Sequence, residues 1–488
     1  MPASDPRSMR RLLRALVWFH RWLGVATCLI FAAWFASGAV MLFHPFPSLP
    51  HAAQMALQAP VDARSVAIAP AAAASRVGGA EDLRLVERAS RPAYLVGTAG
   101  GIAAIDARTG AALPPISPAK ALREGRRVFG AAATVVGPFD YDQWVVHNRF
   151  DGARPFYRLD AGDAAGTQLY LSARTGEMLQ RTTRSARGWN WAGAVLHWVY
   201  VTPLRKSWSA WDRSVWWLSL VCMAVAVAGT LLGIVRMIAA RRLTPPRISF
   251  YRARWLRWHH LLGLGTAVFV LGWIVSGWLS MDHGRLFSQG TATPAQARRY
   301  AGCAFADVLR GVAPSGMAGK DSAREVTVTA LACRPILTRY AAGGGFARTD
   351  GKGRPIADAS MRQSLRRAAA AGWPTGFAAR ITPIDPTATY ALAEGWPTSA
   401  WQLRLGAPAS PDLYVDGATG RLLTVMDGSR AAYAWLYYAL HTGNVPGLAS
   451  HPVLRRIVVL PPLAAGFLFS VTGVVLGWRR IHRAARRT

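Results

Sequence analysis

Four apolar runs, each flanked at one end by arginines, constrain this chain more than anything else in it. They fall at 16–43, 214–238, 258–281 and 457–478. Each reaches the length of about 20 residues that a helix needs to cross a bilayer core. Serines, glycines and two cysteines inside them suit close helix packing. The first run is too long for a cleaved leader and ends in Val40-Met41-Leu42-Phe43-His44-Pro45, with no small-x-small site, so it is expected to stay as an anchor.

The arginines set an orientation. Arg7, Arg10, Arg11 and Arg14 precede the first run. Arg236, Arg241, Arg242, Arg247, Arg252, Arg254 and Arg257 stand between the second and third, with no acidic residue among them. Arg479, Arg480, Arg483, Arg486 and Arg487 follow the fourth. The positive-inside rule makes 1–15, 239–257 and 479–488 cytoplasmic, with both termini inside a bacterial inner membrane. The connections 44–213 and 282–456 are then periplasmic domains. A net charge of +32 would otherwise read as nucleic-acid binding. That class is excluded because much of the charge borders apolar runs, and the expected partner is the lipid bilayer.

Internal similarity shows a tandem duplication. His20-Arg-Trp-Leu-Gly24 matches His259-His-Leu-Leu-Gly263, and at the same offset Ser37-Gly38 matches Ser276-Gly277 and His44 matches His283. At a second offset Tyr170–Leu179 matches Tyr414–Leu423, Trp191 matches Trp435, Leu196-His197 matches Leu440-His441, and Gly229–Gly233 matches Gly473–Gly477. Each half is span, outside domain, span in one orientation. The expected fold is therefore a membrane all-α four-helix bundle with two periplasmic α+β domains and a pseudo-twofold axis along the membrane normal. The two GxxxG pairs imply close helix contacts. Outside the membrane, 93–98 and 101–106 read as paired strands, 168–171 and 412–415 as strands ending in glycine turns, and 360–371 as a helix. Cys28 and Cys222 read as packing residues. Cys303 and Cys333 lie where an oxidising compartment permits a disulfide, and spacing alone leaves that pairing open.

Six of the eleven histidines form three symmetric pairs: His20 with His259, His44 with His283, His197 with His441. A single such pair reads most simply as helix-end packing. Three pairs at span ends read better as ligands to a metal or haem. No thiolate recurs with them, and the one carboxylate nearby is Asp282 beside His283. All-imidazole ligation from different helices suits haem b, taken here as two haems, more than zinc. A CxxCH motif is absent, as are a Gly-rich nucleotide loop, GxSxG and HExxH. His20 and His44 lie about 36 Å apart along a helix. One haem cannot use both, so either a ligand set sits near each face or two haems lie toward the outer face. His260 adjoins His259, but only His259 keeps the spacing that His20 has to Gly24. Arg149, Arg154, Arg158, Arg181, Arg184 and Arg187 in the first connection suggest a surface attracting anions, or simply a solvated basic face.

These motifs together resemble the PepSY-associated transmembrane family over nearly the whole chain. The residues carrying the resemblance are His20–Gly24 with Ser37-Gly38, the copy from His259, Leu440-His441-Thr442-Gly443 with Leu196-His197, and the Asp-Ala-Arg-Thr-Gly type turns. At Leu196-His197-Trp-Val the threonine and glycine are replaced. The resemblance implies PepSY-like outside domains and a role in iron uptake. It also extends to di-haem siderophore reductases of that family, which pass electrons to ferric siderophores in the periplasm. In such a ferric-siderophore reductase the expected haem-iron ligands are His20 and His259 on the cytoplasmic side and His44, His197, His283 and His441 on the outer side. The acceptor would be a ferric siderophore or another periplasmic ferric chelate. The cytoplasmic segments are too short for a flavin or nicotinamide domain, so the electron donor would be quinol or a separate cytoplasmic reductase. The alternatives are a non-redox PepSY interaction protein and a siderophore permease component. Against the permease, the spans show no buried acidic or broken-helix site.

Overall fold

The computed structural model describes residues 6–319, 322–408 and 410–486. They form two compact units. One gathers the described residues up to Phe46, Gly188–Phe287, and those from Ala432 onward; the other is made of Pro47–Arg187 and Ser288–Ala431.

The first unit holds the apolar helices. α1 (Pro6–Met41), α2 (Trp208–Arg241) and α5 (Pro452–Ala485) are each long and apolar enough to cross a membrane. The third run is not one helix as expected from its sequence. It divides into α3 (Arg254–Gly265) and α4 (Ala267–Ser280), bent by 66°. The break falls at Gly265-Thr266, where glycine weakens the helix and the threonine hydroxyl bonds back to the Leu262 carbonyl at 2.8 Å. Thr266 keeps a helical bond on each side of the break: its N–H reaches the Leu262 carbonyl and its carbonyl accepts from Val270, both at 2.9 Å. The sequence-based objection that no broken span exists is therefore overturned. α1 packs along α5 and α2, α3 packs on α5 and α2, and α4 packs on α2. In α5 the helix runs through Pro461 and Pro462.

The second unit is α+β, with three antiparallel sheets among its described residues. Strands β1 (Asp82–Glu87), β2 (Pro92–Thr98), β3 (Gly101–Asp106), β8 (Glu325–Leu331), β9 (Arg334–Tyr340) and β10 (Phe346–Thr349) form one sheet, in the order β10-β9-β8-β1-β2-β3. The other sheets are β4 (Thr134–Phe139), β5 (Phe156–Asp160), β6 (Gln168–Ser172) and β7 (Met178–Thr182), then β11 (Arg380–Pro383), β12 (Ala400–Arg404), β13 (Asp412–Asp416) and β14 (Leu422–Met426). The two long connections were expected as two domains, yet β1 of the first pairs with β8 of the second, Leu83 opposite Val328 and Leu85 opposite Val326. Leu83, Leu85, Tyr94, Val96, Val326, Val328 and Leu337 bury their side chains in one core under that sheet. Both connections thus share one sheet and one compact unit.

The hairpin read from the sequence is β2 and β3, with Ala93 opposite Asp106. The helix read at 360–371 is Asp358–Gly372. The Asp-x-x-Thr-Gly turns at 106–110 and 416–420 and the Ser-x-x-Thr-Gly turn at 172–176 close as glycine requires, with φ of +74° at Gly110, +79° at Gly420 and +77° at Gly176. Asp416 accepts from the Ala418 N–H at 2.9 Å and from the Thr419 hydroxyl at 2.7 Å. Cys303 and Cys333 are joined by a disulfide.

Candidate functional site: two facing histidine pairs

Four histidines of the membrane unit meet in two pairs. The rings of His20 on α1 and His259 on α3 lie 6.3 Å apart between centroids. Those of His197 and His441 lie 6.2 Å apart. His197 and His441 do not sit on the long helices. His197 follows a widened helical turn, Trp191–Val195, and His441 ends another, Trp435–His441, so the two matched segments carry the same irregularity. Such π-type turns re-aim the side chains that follow them.

Each of the four rings is fixed through Nδ1. His20 Nδ1 lies 3.1 Å from the Val225 carbonyl. His197 Nδ1 lies 3.0 Å from Ser37 Oγ, and His441 Nδ1 lies 3.2 Å from Ser276 Oγ and 3.2 Å from the Trp273 carbonyl. His259 Nδ1 lies 3.0 Å from Thr472 Oγ1. Carbonyls only accept, so Nδ1 of His20 and His441 donates. The Ser37 hydroxyl donates to the Trp34 carbonyl, that of Ser276 to Trp273 and that of Thr472 to Phe469, so each of these oxygens is left to accept from imidazole. His20 and His441 therefore carry their proton on Nδ1 and a lone pair on Nε2, and the same tautomer at His197 and His259 lets each hydroxyl donate to its carbonyl and accept from the ring. No hydrogen bond among the described residues takes up any of those four Nε2 atoms. This is the arrangement of a metal-binding imidazole whose other nitrogen is held by an outer partner.

His260 shows the opposite arrangement. Its Nε2 donates to the Gly233 carbonyl at 2.9 Å and its Nδ1 accepts from Ser249 Oγ at 2.9 Å. Both nitrogens are used, and this buried ring pins the segment before α3 to α2.

Glycines make room for each ring. A Cβ added at Gly229 would come within 2.5 Å of His20 Cε1, and one at Gly277 within 2.8 Å of His441 Cε1. At Gly38 and Gly473 the approach to His197 and His259 is 3.6 Å. The Ser-Gly and GxxxG motifs, legible in the sequence as repeats, thus serve as ring holders and ring seats. Thr472 and the Val225 carbonyl gave no such signal: the repeat mate of Thr472 is Ala228, and a backbone carbonyl has no sequence signature.

A cavity of about 560 Å³ adjoins the His20–His259 pair. It is lined by Gly24, Gly229, Phe469 and Gly473 and by six arginines. Pockets for cofactors run to about 300–1,000 Å³. Phe469 stacks on His259 at 4.9 Å.

The remaining two expected ligands are placed elsewhere. His44 stacks on Trp189 with centroids 4.6 Å apart. His283 is exposed, with Nδ1 2.6 Å from Asp212 and its ring 4.9 Å from Trp216. No ring contact or hydrogen bond among the described residues joins either to the His197–His441 pair. The arginine surface expected on the first connection is also partly spent within its own unit. Arg154 is buried against Asp151 and the Asp140 carbonyl, and Arg158 pairs with Asp160.

Two imidazoles that ligate one ion from opposite sides, at metal–nitrogen distances of about 2 Å, place their centroids about 6 Å apart. Both pairs fit that requirement. No cluster of three or more His, Cys, Asp or Glu that could hold a metal occurs among the described residues. Each pair offers two imidazole nitrogens, a donor set that can hold the iron of a haem.

The fold and the helix lengths define a polytopic membrane protein carrying an α+β unit between its spans. The model of the PepSY-associated TM region matches residues 17–480, and the chain belongs to that family. Among curated proteins no sequence match was found.

Proposed function

We propose that the chain is an inner-membrane haem b protein that passes electrons outward to reduce ferric iron in siderophore complexes, built as a tandem duplication with both termini cytoplasmic. The observation that carries this reading is the pair of facing imidazole couples, each with Nδ1 anchored and Nε2 open. His20 with His259, and His197 with His441, would hold the iron of two haems. When bound, haem b supplies reversible one-electron chemistry at iron. Ser37, Ser276, Thr472 and the Val225 carbonyl hold the tautomer that presents a lone pair, and the four glycines let the rings seat. His20 lies toward the arginine-rich end of α1, and Ser37, which holds His197, is seventeen residues further on, about 25 Å of helix. Two sites at different depths suit a conduit across the bilayer. Ferric siderophores hold the hard trivalent ion through oxygen, and reduction weakens that hold. Quinol or a separate cytoplasmic reductase would supply the electrons.

The permease reading has one observation on its side, the bent third span, because broken helices line transporter sites. It leaves the anchored histidine pairs without a role. The test is anaerobic mixing of dithionite-reduced protein with a ferric siderophore. Reoxidation by the chelate, lost in H197A/H441A, supports the reductase. Reoxidation by oxygen alone removes it, and siderophore uptake into proteoliposomes without reductant would favour the permease. For orientation, a reporter active only in the cytoplasm should work when fused after Arg242 and be silent when fused within 60–200.

A further inference from the structure

The cavity beside His20 and His259 has a second symmetric feature. Arg236 on α2 stands seven residues beyond Gly229, and Arg480 on α5 stands seven residues beyond Gly473. Seven residues are two helical turns, about 10 Å, so each arginine lies on the same helix face as the glycine that seats a histidine, displaced toward the arginine-rich end. Both line the cavity. Arg236 is half-buried, with its guanidinium 4.7 Å from the Phe250 ring centroid, and Arg480 lies 5.4 Å from that of Trp22. Those rings orient the two side chains without neutralising them. No carboxylate among the described residues pairs with either, and the sequence has no Asp or Glu between Asp212 and Asp282 or after Asp427. Arg21, Arg254, Arg479 and Arg483 also line the cavity, but of its arginines only Arg236 and Arg480 are matched by the repeat; two matched cations, with two open imidazole nitrogens at the same wall, call for a ligand with a metal centre and two anionic arms.

We propose that Arg236 and Arg480 bind the two carboxylate arms of an iron porphyrin seated between His20 and His259. The proposal rests on the haem reading of that pair and adds to it the way round in which the porphyrin sits. Arginine suits the task because its planar fork meets a carboxylate through two donors and stays charged. The positive-inside rule alone would also place arginines here, so the test must separate these two from their neighbours.

The experiment uses full-length apoprotein carrying H197A/H441A, so that only the His20–His259 pair remains, in nanodiscs of zwitterionic lipid. Binding of iron protoporphyrin IX is compared with that of its dimethyl ester by absorbance titration. The expected result is a preference of about tenfold or more for the free acid, equivalent to about 1.4 kcal/mol. That preference should vanish in R236Q/R480Q, survive in R236K/R480K, and survive in R241Q/R242Q, which removes two cations that do not line the cavity. An unchanged preference in R236Q/R480Q, or an equal loss in R241Q/R242Q, overturns the proposal. So does loss of bound anionic phospholipid from R236Q/R480Q with the porphyrin preference intact, which would assign the arginines to lipid phosphate. If neither porphyrin binds the H197A/H441A protein and neither binds the unsubstituted chain, the haem reading itself falls.

Discussion

Ser37 accepts from His197 Nδ1 at 3.0 Å across 160 residues of chain, and Ser276 holds His441 in the same way at 3.2 Å. Outer partners of this kind fix a ligand's tautomer, and their loss costs about 10–100-fold in metal affinity. Ser37→Ala and Ser276→Ala should therefore weaken haem retention at the His197–His441 pair by about tenfold or more. Ser37→Thr should retain it, since Thr472 does the same work for His259. Haem dissociation into excess apomyoglobin is the measurement. Equal rates for S37A and the parent would remove the serine from the site.

Adjacent histidines should behave oppositely. His259→Ala should abolish or alter the spectrum of its haem, because the Nε2 lone pair disappears. His260→Ala should leave the spectrum intact and lower stability by about 1–3 kcal/mol, the cost of leaving the Gly233 carbonyl and Ser249 hydroxyl without their partner. Absorbance and thermal unfolding, read on both variants, separate ligand from pin. A spectrum lost in H260A and kept in H259A would reverse the assignment.

The glycines divide by distance. A methyl at Gly229 or Gly277 meets a ring carbon at 2.5 Å or 2.8 Å, so Gly229→Ala and Gly277→Ala should displace His20 and His441 and reduce haem content. Gly38→Ala and Gly473→Ala approach only to 3.6 Å and should keep it. Haem-to-protein ratios of the four purified variants decide this. Loss at all four, or at none, would show that ring clearance does not set occupancy.

In the α+β unit Arg84 on β1 binds Glu177 and, at 3.1 Å, Glu325 on β8. Burial alone would raise the Glu325 pKa, but Arg84, with His51 and the Thr327 hydroxyl, outweighs it and holds the carboxyl below its usual range. A folded-state pKa below the unfolded one gives stability that is full above the unfolded value, about 4.3, and is lost as pH falls through the depressed one. Unfolding temperature should drop on acidification below about pH 4.5. Glu325→Gln should lower stability at neutral pH and flatten that drop. An acid slope identical in E325Q would place the titration elsewhere.

Much of this was legible in the sequence, for reasons that differ from residue to residue. Spans, the β2–β3 hairpin and the glycine turns follow from local pattern, because bilayer thickness and positive φ each demand particular residues. Pairing His259, and not His260, with His20 followed from spacing to a glycine. The bend at Thr266 was missed because the run stays apolar through it. The joining of β1 to β8 was missed because it links strands some 240 residues apart, and no local pattern records that. His44 and His283 match in sequence, yet no ring contact or hydrogen bond among the described residues joins them to the His197–His441 pair, and sequence similarity does not record which groups meet in space.

The central claim is that two histidine pairs each hold a haem. The direct measurement is the haem-to-protein ratio of full-length protein purified in detergent, by pyridine haemochrome absorbance, together with the reduced-minus-oxidised spectrum. The expected result is b-type bands and a ratio near two, falling to near one in H20A/H259A and in H197A/H441A, and unchanged in H44A and H283A. Protein that is folded and free of haem, or a ratio that falls with H44A and H283A but not with the paired histidines, would contradict it.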